Sequence, residues 1–89
     1  MNLSASWDLQ IDPSVFKFLK KIPRHDAEAI LGVVYLLPLN PYFGDIQKMT
    51  DEENSWRRRV GNYRIFYKIY VASRVILVFR AERRTSRTY

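Results

Sequence analysis

A two-residue turn sets the geometry of the second half of this chain. Gly61-Asn62 separates two runs rich in arginine, aromatic and β-branched side chains, residues 55–60 and 63–67. Glycine reaches positive φ without strain and asparagine tolerates it, so the pair predicts a primed hairpin turn with Val60 opposite Tyr63. Counting outward places Arg59 opposite Arg64, Arg58 opposite Ile65, Arg57 opposite Phe66 and Trp56 opposite Tyr67. Opposed residues share a face of the sheet. Arg57, Arg59 and Arg64 therefore project from one side, and Trp56, Val60, Tyr63, Ile65 and Tyr67 mostly from the other. Like charges directly across a pair are destabilising. A sheet that carries them there is either well solvated on that face or built to meet an anion.

The charge of the whole chain supports this division. The net charge is +6, but residues 1–55 balance to −3 and residues 56–89 to +9. Nine of the ten cations in the second part are arginine, whose planar fork matches phosphate geometry and stays charged at any physiological pH. The expected partner is anionic, either a nucleic acid or an acidic protein.

Other chemistries are excluded by what the chain lacks. With no cysteine and only His25, neither a thiolate nucleophile nor a thiolate or imidazole metal cluster is available, and no cofactor is expected. Any reaction must use Arg, Lys, Tyr, Asp, Glu or Ser. Eighty-nine residues with 47% hydrophobic content suit one domain, residues 1–89. No apolar run is long enough to span a bilayer and the first residues lack the order of a signal peptide, so a cytoplasmic location without a membrane partner is expected.

Before the hairpin, residues 7–11 alternate apolar and polar and predict a short strand. Asp12-Pro13 reads as an N-cap followed by proline at the first helical position, opening a helix of about ten residues with Val15, Phe16, Leu19 and Ile22 on one stripe. Pro23 ends it. Ala27, Ile30, Leu31, Val34 and Leu37 predict a second helix from Arg24 or Asp26 to about Leu37, stopped by Pro38. His25 at its start reads as an exposed or capping residue. Residues 40–54 contain Pro41, Gly44 and the acidic run Asp51-Glu52-Glu53 without sustained periodicity, and read as a loop. After the hairpin, a turn at Ala72-Ser73 would pair Lys68 with Leu77, Phe66 with Phe79 and Arg64 with Ala81, with the last strand in the sheet interior. The predicted fold class is α+β: strand-helix-helix, then a three-stranded antiparallel meander, with both helices on one face of a four-stranded sheet.

That register puts Arg83 on the face of Arg57, Arg59 and Arg64, around the rings of Phe66 and Phe79. Cations for phosphates and rings for bases is the combination that binds single-stranded RNA. The plainer alternatives are that Arg57, Arg58 and Arg59 form a solvated edge strand that discourages sheet-to-sheet pairing, and that Phe66 and Phe79 simply pack. The end of the chain, with Arg84, Arg87 and Tyr89, could equally be a frayed basic terminus.

The order of elements and residues 56–67, which match Trp-Arg-x-Arg-Val-Gly-x-Tyr-Arg-Ile-x-Tyr, resemble the RelE/ParE superfamily of toxins from type II toxin–antitoxin pairs. The ending, an arginine after the last strand and a tyrosine several residues later, is similar to its RelE-like branch. The resemblance implies a ribosome-dependent messenger RNA endoribonuclease with catalytic Arg64, Arg83 and Tyr89, and with Lys48, Arg57, Arg59, Phe66, Arg84 and Arg87 along the RNA path. It implies attack of a ribose 2′-OH on the adjacent phosphate without a metal, and neutralisation by a cognate antitoxin. Where some relatives place a lysine or glutamate as general base, this chain has Arg59, and guanidinium is a very poor base. That leaves turnover to orientation by the ribosome, to Tyr89, or to an acid such as Glu82, which the predicted register turns to the opposite face. The alternatives are a ParE-like inhibitor of DNA gyrase that is not a nuclease, and a non-catalytic RNA-binding module.

Overall fold

The hairpin forms where the turn dictates. In the computed structural model, which describes residues 7–84, strands β3 (Ser55–Val60) and β4 (Tyr63–Tyr70) pair antiparallel from Val60↔Tyr63 outward to Ser55↔Lys68. Gly61 takes φ 58°, the left-handed conformation a primed turn requires.

Strand β1 (Asp8–Ile11) leads into helix α1 (Pro13–Leu19). The Asp12 side chain accepts a 2.8 Å hydrogen bond from the Ser14 amide, which satisfies an otherwise orphan donor and holds the Asp12 carboxyl below its ordinary pKa. The helix is shorter than its apolar stripe suggests: Val15 and Leu19 are buried, but Phe16 is exposed and the chain leaves helical geometry before Ile22. Helix α2 (Arg24–Leu36) follows Pro23 and buries Ile30 and Val34, with Leu37 at its C-cap also fully covered. The far side of its C-terminal turn leaves Tyr35, Leu36 and Leu39 exposed.

The sheet has five strands, not the four predicted. The additional one is β2 (Ile46–Lys48), inside the segment read as a loop. It pairs antiparallel with β3 through Gln47↔Arg57 and Lys48↔Trp56, so β2, not β3, is the edge. Three residues are too few to display a period of two, which is why sequence pattern does not reveal them. The strand order is β1-β5-β4-β3-β2, with β1 parallel to β5 (Val75–Arg83) and the remaining pairs antiparallel. The last strand is interior as expected, while β4 is the middle one.

Between β4 and β5 the pairing changes register. From the turn to Tyr67↔Val78 it follows the predicted count, including Lys68↔Leu77, but Phe66 then pairs with Arg80 and Phe79 is left as the extra residue of a β-bulge. Beyond it every side chain on β5 is displaced by one position. Arg64 faces Glu82, not Ala81, and Tyr63 faces Arg83.

One face of the sheet forms the core with the helices. Ile65, Tyr67, Ile69, Ile76 and Val78 are buried there against Val15, Ile30, Val34 and Leu37. The Tyr67 hydroxyl donates to the Pro41 carbonyl at 3.1 Å, and burial pushes its phenol up to about 12. Arg58 lies on the same face beneath the loop, its guanidinium 4.2 Å from the centre of the Phe43 ring and packed over Gly44.

Candidate functional site

On the other face, arginines converge because strand alternation leaves them nowhere else to go. Arg57 and Arg59 on β3 and Arg64 on β4 point outward together, as the register Arg57↔Phe66 and Arg59↔Arg64 requires. Each is held by a neighbour. Arg57 donates twice to Gln47 Oε1 from the adjoining edge strand, from Nη2 at 2.6 Å and Nε at 3.2 Å. Arg59 Nη1 lies 3.6 Å from Asp45 Oδ2, and the Arg59 amide donates to the Asp45 carbonyl.

A fourth cation arrives from beyond β5. The Arg84 amide donates to the Asn62 carbonyl at 2.7 Å, and its Nη1 donates to the Gly61 carbonyl at 3.0 Å. Arg84 thereby clasps the hairpin turn from outside. Together Arg57, Arg59, Arg64 and Arg84, with Asp45, Ile46 and Gln47, line a cavity of about 350 Å³. Its size is near the lower end of small-ligand pockets, and its walls carry mostly hydrogen-bond donors.

Beside the cavity sits a carboxylate. Glu82 Oε1 accepts from Arg80 Nη2 at 2.6 Å, and its Oε2 lies 3.8 Å from Arg64 Nη1. The Glu82 and Arg64 side chains are 31% and 29% exposed, a partly screened setting in which the pair adds little to stability. Its effect is local: one anion among several guanidiniums lowers the repulsion that Arg59 and Arg64 impose on each other.

Residues 9–86 match the family model described as ParE toxin of type II toxin-antitoxin system, parDE. The chain belongs to the RelE/ParE superfamily of type II toxins. Solved structures of similar fold carry mostly the RelE name. The RelE–RelB complex from Pyrococcus horikoshii OT3 aligns with TM-score 0.79 and 22% identity over 92% of this chain and 99% of that one. The isolated Escherichia coli RelE toxin gives TM-score 0.75 and 14% identity over 92% and 88%. The RelB–RelE complex from Methanococcus jannaschii gives TM-score 0.67 and 27% identity over 83% and 88%. No curated protein sequence matches.

Within this RelE/ParE toxin, three of the expected site residues stand apart from the arginine cavity. Arg83 does not join Arg64: the bulge at Phe79 turns it to the helix-covered side, where its guanidinium lies 5.1 Å from the Tyr63 ring centre. There Tyr63 donates to Asp26 Oδ2 at 2.8 Å, and that bond, with burial, holds its phenol above its ordinary value. Lys48 pairs with Trp56 and is absent from the arginine cavity; it lines a neighbouring one with Gln47, Asp51 and Arg57. Phe66 keeps its predicted face, but it is 6% exposed, covered by Phe79 at 6.3 Å between ring centres and by Arg80 at 5.4 Å. Arg87 and Tyr89 lie outside the described residues.

The toxin also brings to the cavity residues that sequence reasoning did not place there. Gln47 and Asp45 come with the unforeseen strand β2, for which no pattern signal exists. Glu82 stands beside the cavity and not in its lining, turned by the bulge to the face opposite the one the predicted register gives it. Arg57, Arg59 and Arg64 are brought together as expected, with Arg84 in the place foreseen for Arg83.

Proposed function

We propose that this toxin is a ribosome-dependent messenger RNA endoribonuclease that binds a backbone phosphate in the Arg57–Arg59–Arg64–Arg84 cavity. The observation that carries the reading is the convergence of those guanidiniums on one cavity of about 350 Å³ whose only acidic lining residue among those described is Asp45. Attack of a ribose 2′-OH on phosphorus builds negative charge on the phosphate oxygens. Donors fixed in advance around that point stabilise the charge more in the transition state than in the ground state. Arg64 and Arg84 are the best placed, since Arg84 is anchored to the turn and Arg64 projects from the middle strand. Arg57 and Arg59, tied to the edge, track the neighbouring backbone. Tyr89 stacks on a base or orients the attacking hydroxyl.

Relatives crystallised with RelB antitoxins support a cognate antitoxin here too, one whose acidic or amphipathic segment covers the cation face. The test is primer extension on cellular messengers after brief expression. Cuts at discrete sites in translated regions are expected, and an intact messenger pool alongside arrested growth counts against the reading.

A second reading has two observations in its favour. The matching family model is named for ParE, and Arg83, the expected active-site arginine, faces away from Arg64. A ParE-like inhibitor of DNA gyrase would produce DNA breaks with messengers uncut.

A further inference from the structure

We propose that Glu82 is the proton acceptor of the cleavage step, receiving the ribose 2′-OH proton on Oε2; this rests on the nuclease reading above. A guanidinium cannot take this role, so four arginines around a phosphate leave the reaction without a base. Among the described residues, Asp45 and Glu82 are the carboxylates that ion-pair with the cavity arginines. Asp45 lines the cavity, but its side chain is 68% exposed and its Oδ2 is directed at Arg59. Glu82 stands just beside the cavity, next to Arg64, at about half that exposure.

The two oxygens of Glu82 are differently committed. Oε1 is fixed by Arg80 at 2.6 Å, which sets the orientation of the carboxylate. Oε2 is ion-paired with Arg64 at 3.8 Å, beyond hydrogen-bond length, so that guanidinium does not occupy it as a hydrogen-bond acceptor. A phosphate held by Arg64 brings its ribose to the same side of that guanidinium. The 2′-oxygen then lies within reach of Oε2, directly or through one water. This arrangement exists only because the bulge at Phe79 moves Glu82 across the sheet. Without the bulge the position opposite Arg64 would be Ala81.

The step balances without a metal or an oxidant. As the 2′-oxygen bonds to phosphorus, its proton passes to Glu82 Oε2 and the bond from phosphorus to the 5′-oxygen breaks. The departing 5′-oxygen takes a proton from water, and the Glu82 carboxylic acid returns its proton to the hydroxide left behind. The products are a cyclic 2′,3′-phosphate and a 5′-hydroxyl end.

The experiment uses the full chain as wild type, Glu82→Gln, Glu82→Asp and Arg80→Ala, each checked for fold by circular dichroism. Single-turnover cleavage of a defined messenger on programmed ribosomes is followed from acid to neutral pH. Binding is measured by anisotropy on the same messenger with a 2′-deoxy nucleotide at the cut site. Glu82→Gln should cut about 10²- to 10⁴-fold more slowly, the usual contribution of a general base, and should bind at least as well as wild type. Glu82→Asp should recover part of the rate. Arg80→Ala, which frees Oε1, should slow cleavage less than Glu82→Gln does. If Glu82→Gln cuts like wild type, the proton acceptor is elsewhere. If binding falls in step with cleavage, Glu82 only positions Arg64, and the proposal is likewise overturned. Wild type that cuts no messenger removes the nuclease reading itself and this assignment with it, whereas active wild type with an indifferent Glu82→Gln removes the assignment alone.

Discussion

Arg83 and Arg84 are adjacent in the chain yet serve opposite sides of the sheet, the first against the Tyr63 ring at 5.1 Å and the second against the Gly61 carbonyl at 3.0 Å. Only Arg84 lines the cavity with Arg64. Their substitutions should therefore separate. Arg84→Ala should weaken RNA binding and suppress translation arrest. Arg83→Ala should leave binding within about twofold while lowering stability by about 0.5–1 kcal/mol, the worth of an exposed cation–π contact. Anisotropy and thermal melting of the two variants decide it, and the reverse pattern would restore Arg83 to the site.

Arg64→Ala removes the cavity-lining guanidinium that faces Glu82. Messenger cleavage should fall by at least the roughly 10²-fold expected for losing one donor that stabilises developing charge, with circular dichroism unchanged. Relief of the repulsion with Arg59 should offset part of any lost packing. Growth arrest that persists in this variant would exclude the cavity as the toxic site.

Binding to single-stranded RNA should be steeply salt-dependent. If all the cavity arginines meet phosphates, log K should fall against log salt with a slope of about −3, and Arg57→Ala should make it shallower by about 0.7. Titrations at several salt concentrations give both numbers. A slope near zero would show that the cations are spent on Gln47, Asp45 and Glu82 and not on RNA.

Tyr67 predicts the alkaline limit of the fold. Its buried phenol is raised from 10.0 to about 12, so the folded state holds that proton more tightly than the unfolded chain does. The resulting stabilisation is fully present below about pH 10 and is lost as pH rises through about 12, worth roughly 2–3 kcal/mol. Tyr67→Phe should be less stable at neutral pH by about 1 kcal/mol, through the lost bond to Pro41. It should also lose less stability than wild type between pH 9 and 12 in urea denaturation.

Gly44→Ala tests the loop that carries Asp45. Gly44 has φ 87°, and an added Cβ would overlap the Arg58 guanidinium. A loss of about 1–3 kcal/mol is expected from backbone strain and displacement of Arg58. The midpoint of chemical denaturation measures it, and RNA affinity should fall as well because Asp45 and Gln47 move with the loop.

The parts of this structure that the sequence announces are those with a local cause. Gly61-Asn62 fixes the hairpin count, Asp12-Pro13 opens α1, and Pro23 and Pro38 bracket α2. Strand β2 escapes because three residues hold no period. The bulge escapes for a different reason. Residues 75–79 are all apolar, so no polar residue marks which face each one takes, and a slip within the run leaves no trace. Two consecutive arginines then follow, and composition cannot say which of Arg83 and Arg84 turns toward Arg64. The cation face was thus foreseen in kind, while the members contributed by the last strand were not.

The extra residue at Phe79 has a consequence for divergence within the superfamily. Alternation in a strand counts by twos, so the same residues paired without the bulge would set Ala81 opposite Arg64 and turn Glu82 to the helix-covered side. A bulge gained or lost at this point can therefore strip the rim of its carboxylate as effectively as a point change. Two relatives whose arginines fall in the same alignment column need not present them to the same side.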